Sequence, residues 1–560
     1  MFTQSSMVNK PKHIWLYILA TILTLLSVVI GFAIPAKGAQ SRSTPEDQLS
    51  KHLSQSVSII NWLVNPDQAP AHLKPRFQQL NTIAKEIRGT GPAVSLERRR
   101  ANLFNLDSIG LPQNEESVTL CTSRPELVLG GTNDYRGILD PEFNITGWHL
   151  SSDGGRNVIN EGQLPTVEVA GNPTPSGGDP VVVDGSGCAL FEASLNYNPF
   201  NPFGSPNGIG VYRSDPETLT NCPGGSDPGC WPVRRAVAES EPSHFLDKEW
   251  FDVGVSGDAG EVVWVTYSDF VIDFDAPLGF TSASVNGVRC TSDLSSCTDP
   301  ILISGDDLDV QFSDVTIGPD GRVYVTWAEI SGELEFQPQT FIIKLRIAPP
   351  GSTEFGPTQI IHEEDLAIPF GGLLHANDFR VATYPKHEVV MVDGHPRIFV
   401  IWDACTERPL DVICEEPVIK LTYSDDDGAT WSPVRILSTS GDNYFPTIST
   451  DGDGKIVAAW FTNRFDDIFH NRQDVEFVAI DDSSLKTRAG KRLTRPSNET
   501  EADPLLGGFF IGDYIEVAAR PGTAYVHYNA NSRQIPLLGL GLPIPQQDNF
   551  LVTVNIGNEE

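Results

Sequence analysis

The sequence predicts an all-β fold, a β-propeller of seven four-stranded blades (six as the alternative count) with a short helical segment before it. Three observations predict it. First, a strongly apolar β-run recurs seven times at intervals of about 55 to 75 residues, a period that suits one blade per copy. Second, tight turns such as Pro319-Asp320-Gly321 and Asp451-Gly452-Asp453-Gly454 join these runs to a preceding strand, and Asp-Gly turns tolerate the positive φ that a hairpin needs. Third, the chain has 560 residues, long for one ordinary core but natural for a fold that grows by repeating a unit.

The repeat begins at Leu127–Gly131 and Cys188–Ala193. It continues through Val262–Tyr267, Val323–Trp327, Ile398–Trp402 and Ile456–Trp460 to Thr523–Tyr528. These runs are too short and too rich in β-branched residues for helical repeats. Val315–Ile317, Thr447–Ser449 and Ile515–Val517 are the strands before the turns. Each blade is therefore expected to open with an inner strand, make a hairpin and continue into the apolar second strand. Radial closure then leaves few sheet edges exposed.

The chain before the repeat has two parts. Residues 1–39 read as an export signal or membrane anchor. Ile14–Ile34 is uncharged and largely apolar, Lys10, Lys12 and His13 precede it, and small residues follow at Ala36, Gly38 and Ala39. Residues 40–110 read as helical. Thr44-Pro45-Glu46-Asp47 starts a helix, Leu49, Leu53, Val57, Ile60 and Leu63 recur at helical spacing, and a second helix runs from Leu73 to Arg88. A third, basic stretch contains Arg98, Arg99 and Arg100. The propeller is then assigned to residues 111–560.

Export fits the cysteines. Cys222 and Cys230, Cys290 and Cys297, and Cys405 and Cys414 are close in sequence and lack CxxC spacing, so they read as three small disulfide loops. Cys121 and Cys188 remain to join adjacent blades. A formal charge of −34 argues against nucleic acid and anionic membrane surfaces as partners, leaving the membrane relevant only through an uncleaved N-terminal segment. No H-E-x-x-H, G-x-S-x-G or phosphate-cradling glycine loop occurs. No cofactor is required. Calcium is the ion that the acidic turns at 424–428 and 451–454 would suit, although neither is a complete twelve-residue loop.

Topology places a candidate site. In an antiparallel blade, the starts of first strands and the ends of second strands share one face, and the Asp-Gly hairpins lie on the other. The candidate face therefore carries Asn114, Glu115, Glu116, Asn133, Asp134, Tyr135, Arg136 and Asp179. Asp247, Lys248, Glu249, Trp250, Asn377, Asp378, Arg380, Asp403 and Tyr444 follow, and Asn463, Arg464, Asp513 and Tyr514 complete it. The set is rich in the carboxylate, arginine and tyrosine groups that glycan chemistry uses.

Ser424-Asp425-Asp426-Asp427-Gly428-Ala429-Thr430-Trp431 matches the Asp-box S-x-D-x-G-x-T-W, and Ser151–Gly155 followed by Asn157 and Val158 is a decayed copy. With Gly131–Arg136, Asp247–Trp250 and Gly512–Tyr514, the chain resembles the exported bacterial sialidase-like (Asp-box, or BNR-repeat) propellers over about residues 112–557. The resemblance implies an extracellular glycan or glycoprotein partner. It also implies roles for a hydrolase: Arg136, Arg380 and Arg464 gripping a carboxylate, Tyr514 or Tyr444 with Glu249 as nucleophile pair, and Asp134 or Asp247 as acid. Asn133, Tyr135, Asp179, Lys248, Trp250, Asp378, Asn463 and Asp513, with Tyr444, would bind substrate. The family's early [FY]-R-I-P signature is missing, and Arg397-Ile398 falls at a hairpin instead. Two readings follow: an exo-glycosidase of sialidase type, or a non-catalytic binding or scaffold propeller at the cell surface.

Overall fold

The computed structural model describes residues 44–87, 102–307, 309–331, 340–410, 412–488, 490–536 and 543–557. The export segment and the stretch with Arg98–Arg100 lie outside the described residues. Among the described residues, no helix is long and apolar enough to cross a membrane.

The fold is mostly β and built from small antiparallel sheets. Among the described residues, six four-stranded meanders and one three-stranded meander follow one another along the chain. Their first strands are Gln113–Leu120, Val181–Asp184, His244–Val255, Val310–Ile317, Lys386–Val392, Asn443–Thr450 and Glu516–Arg520. All seven recurrent apolar runs lie in or overlap the second strands, which carry the fully buried Trp264, Trp327, Trp402 and Trp460 between neighbouring sheets. Each first strand touches the first strand of the next sheet, and the seventh touches the first. All seven also line one cavity of about 460 Å³, through Val118, Val182, Asp252, Val315, Glu388, Ile448 and Val517 among others.

First strands are linked to their neighbours by side-chain clamps. Ser117 Oγ accepts from Val182 N (2.9 Å). Asp252 Oδ2 accepts from Ile317 N (2.7 Å), and Asp314 Oδ2 accepts from His387 N (2.7 Å). Thr447 Oγ1 accepts from Val517 N (3.3 Å), and Glu516 Oε2 accepts from Val118 N (2.8 Å). The carboxylates on these strands thus serve the backbone, and removing one leaves a buried N–H without a partner. Asp252→Ala is expected to destabilise the protein by about 1–3 kcal/mol, read as a lower urea midpoint at unchanged slope.

The outer edge of the last sheet is closed by the chain that leads into the first. Phe104 N donates to Asn549 O (2.9 Å), and Leu551 N donates to Asn102 O (2.8 Å). The helical segment and the β-region therefore meet before residue 111, because residues 102–104 already belong to the last sheet's edge.

Four disulfides form, each with the expected partner. Cys121–Cys188 ties the first sheet to the second (Cα–Cα 5.1 Å), and Cys222–Cys230, Cys290–Cys297 and Cys405–Cys414 close local loops. They suit an oxidising compartment. The turn at 424–430 and its decayed copy share one network. Ser424 Oγ and Ser151 Oγ accept from Gly428 N and Gly155 N. Asp426 and Asp153 accept from Thr430 and Asn157 through backbone and side chain (2.6–2.9 Å).

Helices α1 (Pro45–His52), α2 (Gln55–Val64) and α3 (Lys74–Ile87) lie against the sheets. The predicted first helix is two helices, broken at Leu53-Ser54. Leu49, Leu53, Val57, Ile59, Ile60, Leu63, Phe77 and Leu80 are buried in one core with Tyr135, Phe245, Phe280 and Phe510. Each is worth about 1.5–3 kcal/mol by burial.

Candidate functional site: a charged chamber closed by helices

First strands reach the predicted face with a repeated distortion. The register slips at Asn114/Ser117, Asp247/Trp250, Gln311/Asp314 and Tyr444/Thr447. At each slip a non-glycine residue takes positive φ: Glu115 (61°), Lys248 (54°), Phe312 (57°) and Phe445 (52°). Asp179 (56°) does the same just before the second sheet. In the seventh sheet the strand is preceded by Gly512 (φ 91°), where a Cβ would lie 2.8 Å from Glu115 N. Such backbone costs about 1–3 kcal/mol per residue and gathers at functional sites. Here it re-aims side chains toward a common centre.

At that centre sits a buried charge cluster. Asp513 forms a two-point pair with Arg380 Nε (2.9 Å) and Nη2, and accepts from Lys248 Nζ (3.3 Å). Lys248 also approaches Tyr384 Oη (3.4 Å). Glu115 Oε1 accepts from Asp513 N (3.1 Å), and Asn133 bridges Glu115 to Asp179 N (2.9 Å). Burial opposes ionisation of Asp513, but Arg380 and Lys248 prevail and hold it below the usual carboxylate range. Burial pushes Asp247 up to about 7 and raises Glu115, Asp179 and Glu249. Both Glu249 carboxylate oxygens are buried without a hydrogen-bond partner.

The helices close this chamber with matched charge. Arg380 Nη1 donates to Leu53 O (2.8 Å) and Ser50 O (3.3 Å) at the C-terminal end of α1, where the helix dipole favours a cation. At the start of α2, Ser54 N donates to Asp247 Oδ2 (2.8 Å), while Ser54 Oγ (2.5 Å) and Ser56 Oγ (3.2 Å) donate to Asp179 Oδ1. The Ser54 side chain makes no cap bond to its own helix, so carboxylates from two sheets take over capping of the positive end. What remains is a cavity of about 30 Å³ beside Glu249, Trp250, Tyr384 and Tyr514. That volume holds one or two waters, whereas ligand pockets run to about 300–1,000 Å³.

The structure thus brings together Asn133, Asp179, Asp247, Lys248, Glu249, Trp250, Arg380, Asp513 and Tyr514. Tyr135 is buried in the core beside the chamber. Arg136 instead pairs with Asp134 and Glu161 (both 2.6 Å). Arg464 pairs with Glu476 (3.0 Å), and Asn463 holds Asp442 (2.7 Å). Tyr444 packs on Phe379 and Phe461, and Asp378 is exposed. The three arginines therefore each have their own acidic partners and do not share one. Tyr514 Oη donates to Pro180 O (2.8 Å), and burial raises its pKa well above the ordinary value, with Glu115 and Asp179 adding to the shift. A tyrosine nucleophile needs the opposite.

Sequence reasoning missed Ser54, Ser56, Tyr384 and Lys386. The serines lie at the start of α2, in a segment that the sequence reads only as helical and gives no part in the candidate site. Lys386 stands against the Trp250 ring and near Asp314, and burial lowers its pKa to about 8. Among the described residues, no group of three or more His, Cys, Asp or Glu is placed to hold a metal ion. Asp451 spends its Oδ1 on Asp453 N and Lys455 N (both 2.9 Å).

No family model matches the sequence, and comparison with curated proteins finds no match. Solved structures do match. The Hadza microbial sialidase Hz136 is 12% identical, with 72% of this chain and 73% of that chain covered (TM-score 0.38). The intramolecular trans-sialidase from Ruminococcus gnavus is 12% identical, with 81% and 97% covered (TM-score 0.36). The GH93 α-L-arabinofuranosidase of Fusarium graminearum is 12% identical, with 67% and 92% covered (TM-score 0.38).

Proposed function

We propose that the chain is an exported seven-bladed β-propeller of the sialidase-like type that recognises extracellular glycans or glycoproteins without hydrolysing them. The cyclic contacts of seven first strands and the single cavity they share support the blade count. Four disulfides and the apolar run at residues 14–34 support export, and this reading needs no cofactor.

One observation carries the non-hydrolytic part: the groups a sialidase would use are spent on internal partners beneath α1 and α2. Arg380 is shared between Asp513 and the carbonyls of α1, Asp179 and Asp247 cap α2, and Tyr514 is bonded to a backbone carbonyl. Opening the chamber would expose the buried apolar side chains of α1 and α2 together. At about 1.5–3 kcal/mol each, this rivals the about 5–15 kcal/mol that holds a whole domain folded.

The test is a panel of methylumbelliferyl glycosides (sialoside, arabinofuranoside, xyloside, glucoside and galactoside) beside a glycan array. The expected result is retention on the array with no turnover above blank. Turnover that Tyr514→Phe or Glu249→Gln abolishes in a folded variant reinstates the hydrolase.

A further inference from the structure

A second concavity lies where α1 and α2 meet two long loops on the same face. Its volume is about 620 Å³, within the range of ligand pockets. One loop, residues 197–207, joins the second and third strands of sheet 2. The other, residues 273–279, does so in sheet 3. Their rings are exposed although large and apolar: Phe200 49%, Phe203 37% and Phe274 40%. Trp62 of α2 completes an aromatic lining.

The rings are held in place. Asn61 Nδ2 donates to Pro199 O (2.9 Å), and Asn65 Nδ2 donates to Phe200 O (3.1 Å), fastening the first loop to α2. Phe203 packs edge-on against Phe245 and Phe274 (centroids 5.4 and 5.9 Å), and Phe200 against Phe143 (5.0 Å). Little conformational entropy is left to lose on binding. Between the rings the lining is amide, hydroxyl and one acid: Asn201, Gln68, Ser50, Ser58 and Glu46.

This mixture selects a ligand class. Flat apolar faces suit the C–H faces of sugar rings, and amides and hydroxyls suit sugar hydroxyls. Among the described residues, Glu46 is the one charged residue of the lining, with no arginine or lysine to meet a carboxylate. We infer that this groove binds a neutral oligosaccharide, stacked on Phe200, Phe203, Phe274 and Trp62, and that it does not bind a sialylated one. The inference rests on the glycan-recognising reading above, and it moves recognition from the closed axial chamber to the rim.

The experiment is isothermal titration of the full chain with maltohexaose, xylohexaose and α-1,5-arabinohexaose, and with 3′-sialyllactose. Variants are Phe200→Ala, Phe274→Ala and, as a control, Ile436→Ala, exposed at 60% on the outer strand of another sheet. At least one neutral hexaose is expected to bind, about tenfold or more weaker in each phenylalanine variant and unchanged in the control, while 3′-sialyllactose gives no heat. Thermal melts matching wild type exclude unfolding as the cause. Equal neutral binding in all variants overturns the groove and leaves the glycan-recognising reading standing. Binding of 3′-sialyllactose alone overturns the neutral class. Failure to bind any hexaose, with phosphatidylcholine vesicles bound through Phe200 and Phe274, makes the groove a membrane contact and overturns it. A full chain that retains nothing on the array removes the underlying reading too.

Discussion

Arg380→Ala is expected to lower the unfolding free energy by about 3–5 kcal/mol, the range for breaking a buried ion pair by removing one partner. Asp513 would keep Lys248 but lose its two-point partner, and the carbonyls of Leu53 and Ser50 would lose their donor. The damage should be local as well as global. Amide exchange in residues 49–60 should accelerate more than in the second strands, because Arg380 joins the helices to the axis. Arg380→Lys should recover little, since an ammonium cannot grip a carboxylate at two points while reaching a carbonyl with a third N–H. Arg380→Ala with Asp513→Asn should be less damaging than additivity predicts, because the stranded charge is gone. Urea melts and exchange mass spectrometry read both effects. An Arg380→Ala melt within 1 kcal/mol of wild type would mean that this pair contributes no more than an exposed one.

How far such a site is legible follows from what each signal depends on. The second strands were visible because they are buried on both faces, and a run such as Ile456–Trp460 has no competing pattern. Three disulfides were visible because short spacing leaves few partners, and Cys121–Cys188 followed as the pair that remained. The candidate face was partly legible. Strand polarity alone put Asp179, Asp247, Lys248, Arg380 and Asp513 at one end, and they meet there. The same argument put Arg464, Asn463 and Asp378 at that end and could not say how far from the axis they lie. Arg380 itself does not come from a blade strand. It sits in a small accessory sheet with Gly372–Leu374 and the strands beside Cys414, a pairing that includes a parallel contact no local pattern announces. The largest omission was the role of α1 and α2. Their apolar spacing showed that they bury one stripe against something, and only the fold shows that this is the core beside the buried charge cluster. Ser54 gave no local sign of this, because the apolar spacing from Leu49 to Leu63 runs through it unbroken and its partners are 125 and 193 residues away.

Those acids also set how stability depends on pH. The interior holds Asp247, Asp403, Glu516 and Asp548 with carboxyl pKa values raised by burial to about 7, Asp252 to about 6 and Glu388 to about 8. Each is higher folded than unfolded, so between about pH 4 and 8 the folded chain binds more protons than the unfolded one, and stability falls as pH rises through that window. Stability from these groups is fully present below their unfolded pKa and lost above the folded one. A second set works the other way. Burial opposes ionisation of Glu364, but His362, Lys420 and Trp402 together depress its pKa to about 2, so its contribution is present above the unfolded value and lost as pH drops through the folded one. The two sets bracket a maximum near pH 5, and the formal charge of −34 steepens the alkaline side by self-repulsion. Melting temperature should therefore be several degrees higher at pH 5 than at pH 8, and the difference should persist in 0.5 M NaCl, because salt screens surface repulsion and not buried carboxylates. Asp403→Asn isolates one contributor. It cannot ionise, and its single amide oxygen can accept from only one of Phe445 N and Tyr384 N, so it should flatten the slope between pH 6 and 8 from a stability at pH 5 that is lower by about 1–3 kcal/mol for the N–H left unpaired. A melting temperature that climbs from pH 5 to pH 8 would mean that these carboxylates are solvated, and the closed chamber beneath α1 and α2 would fall with them.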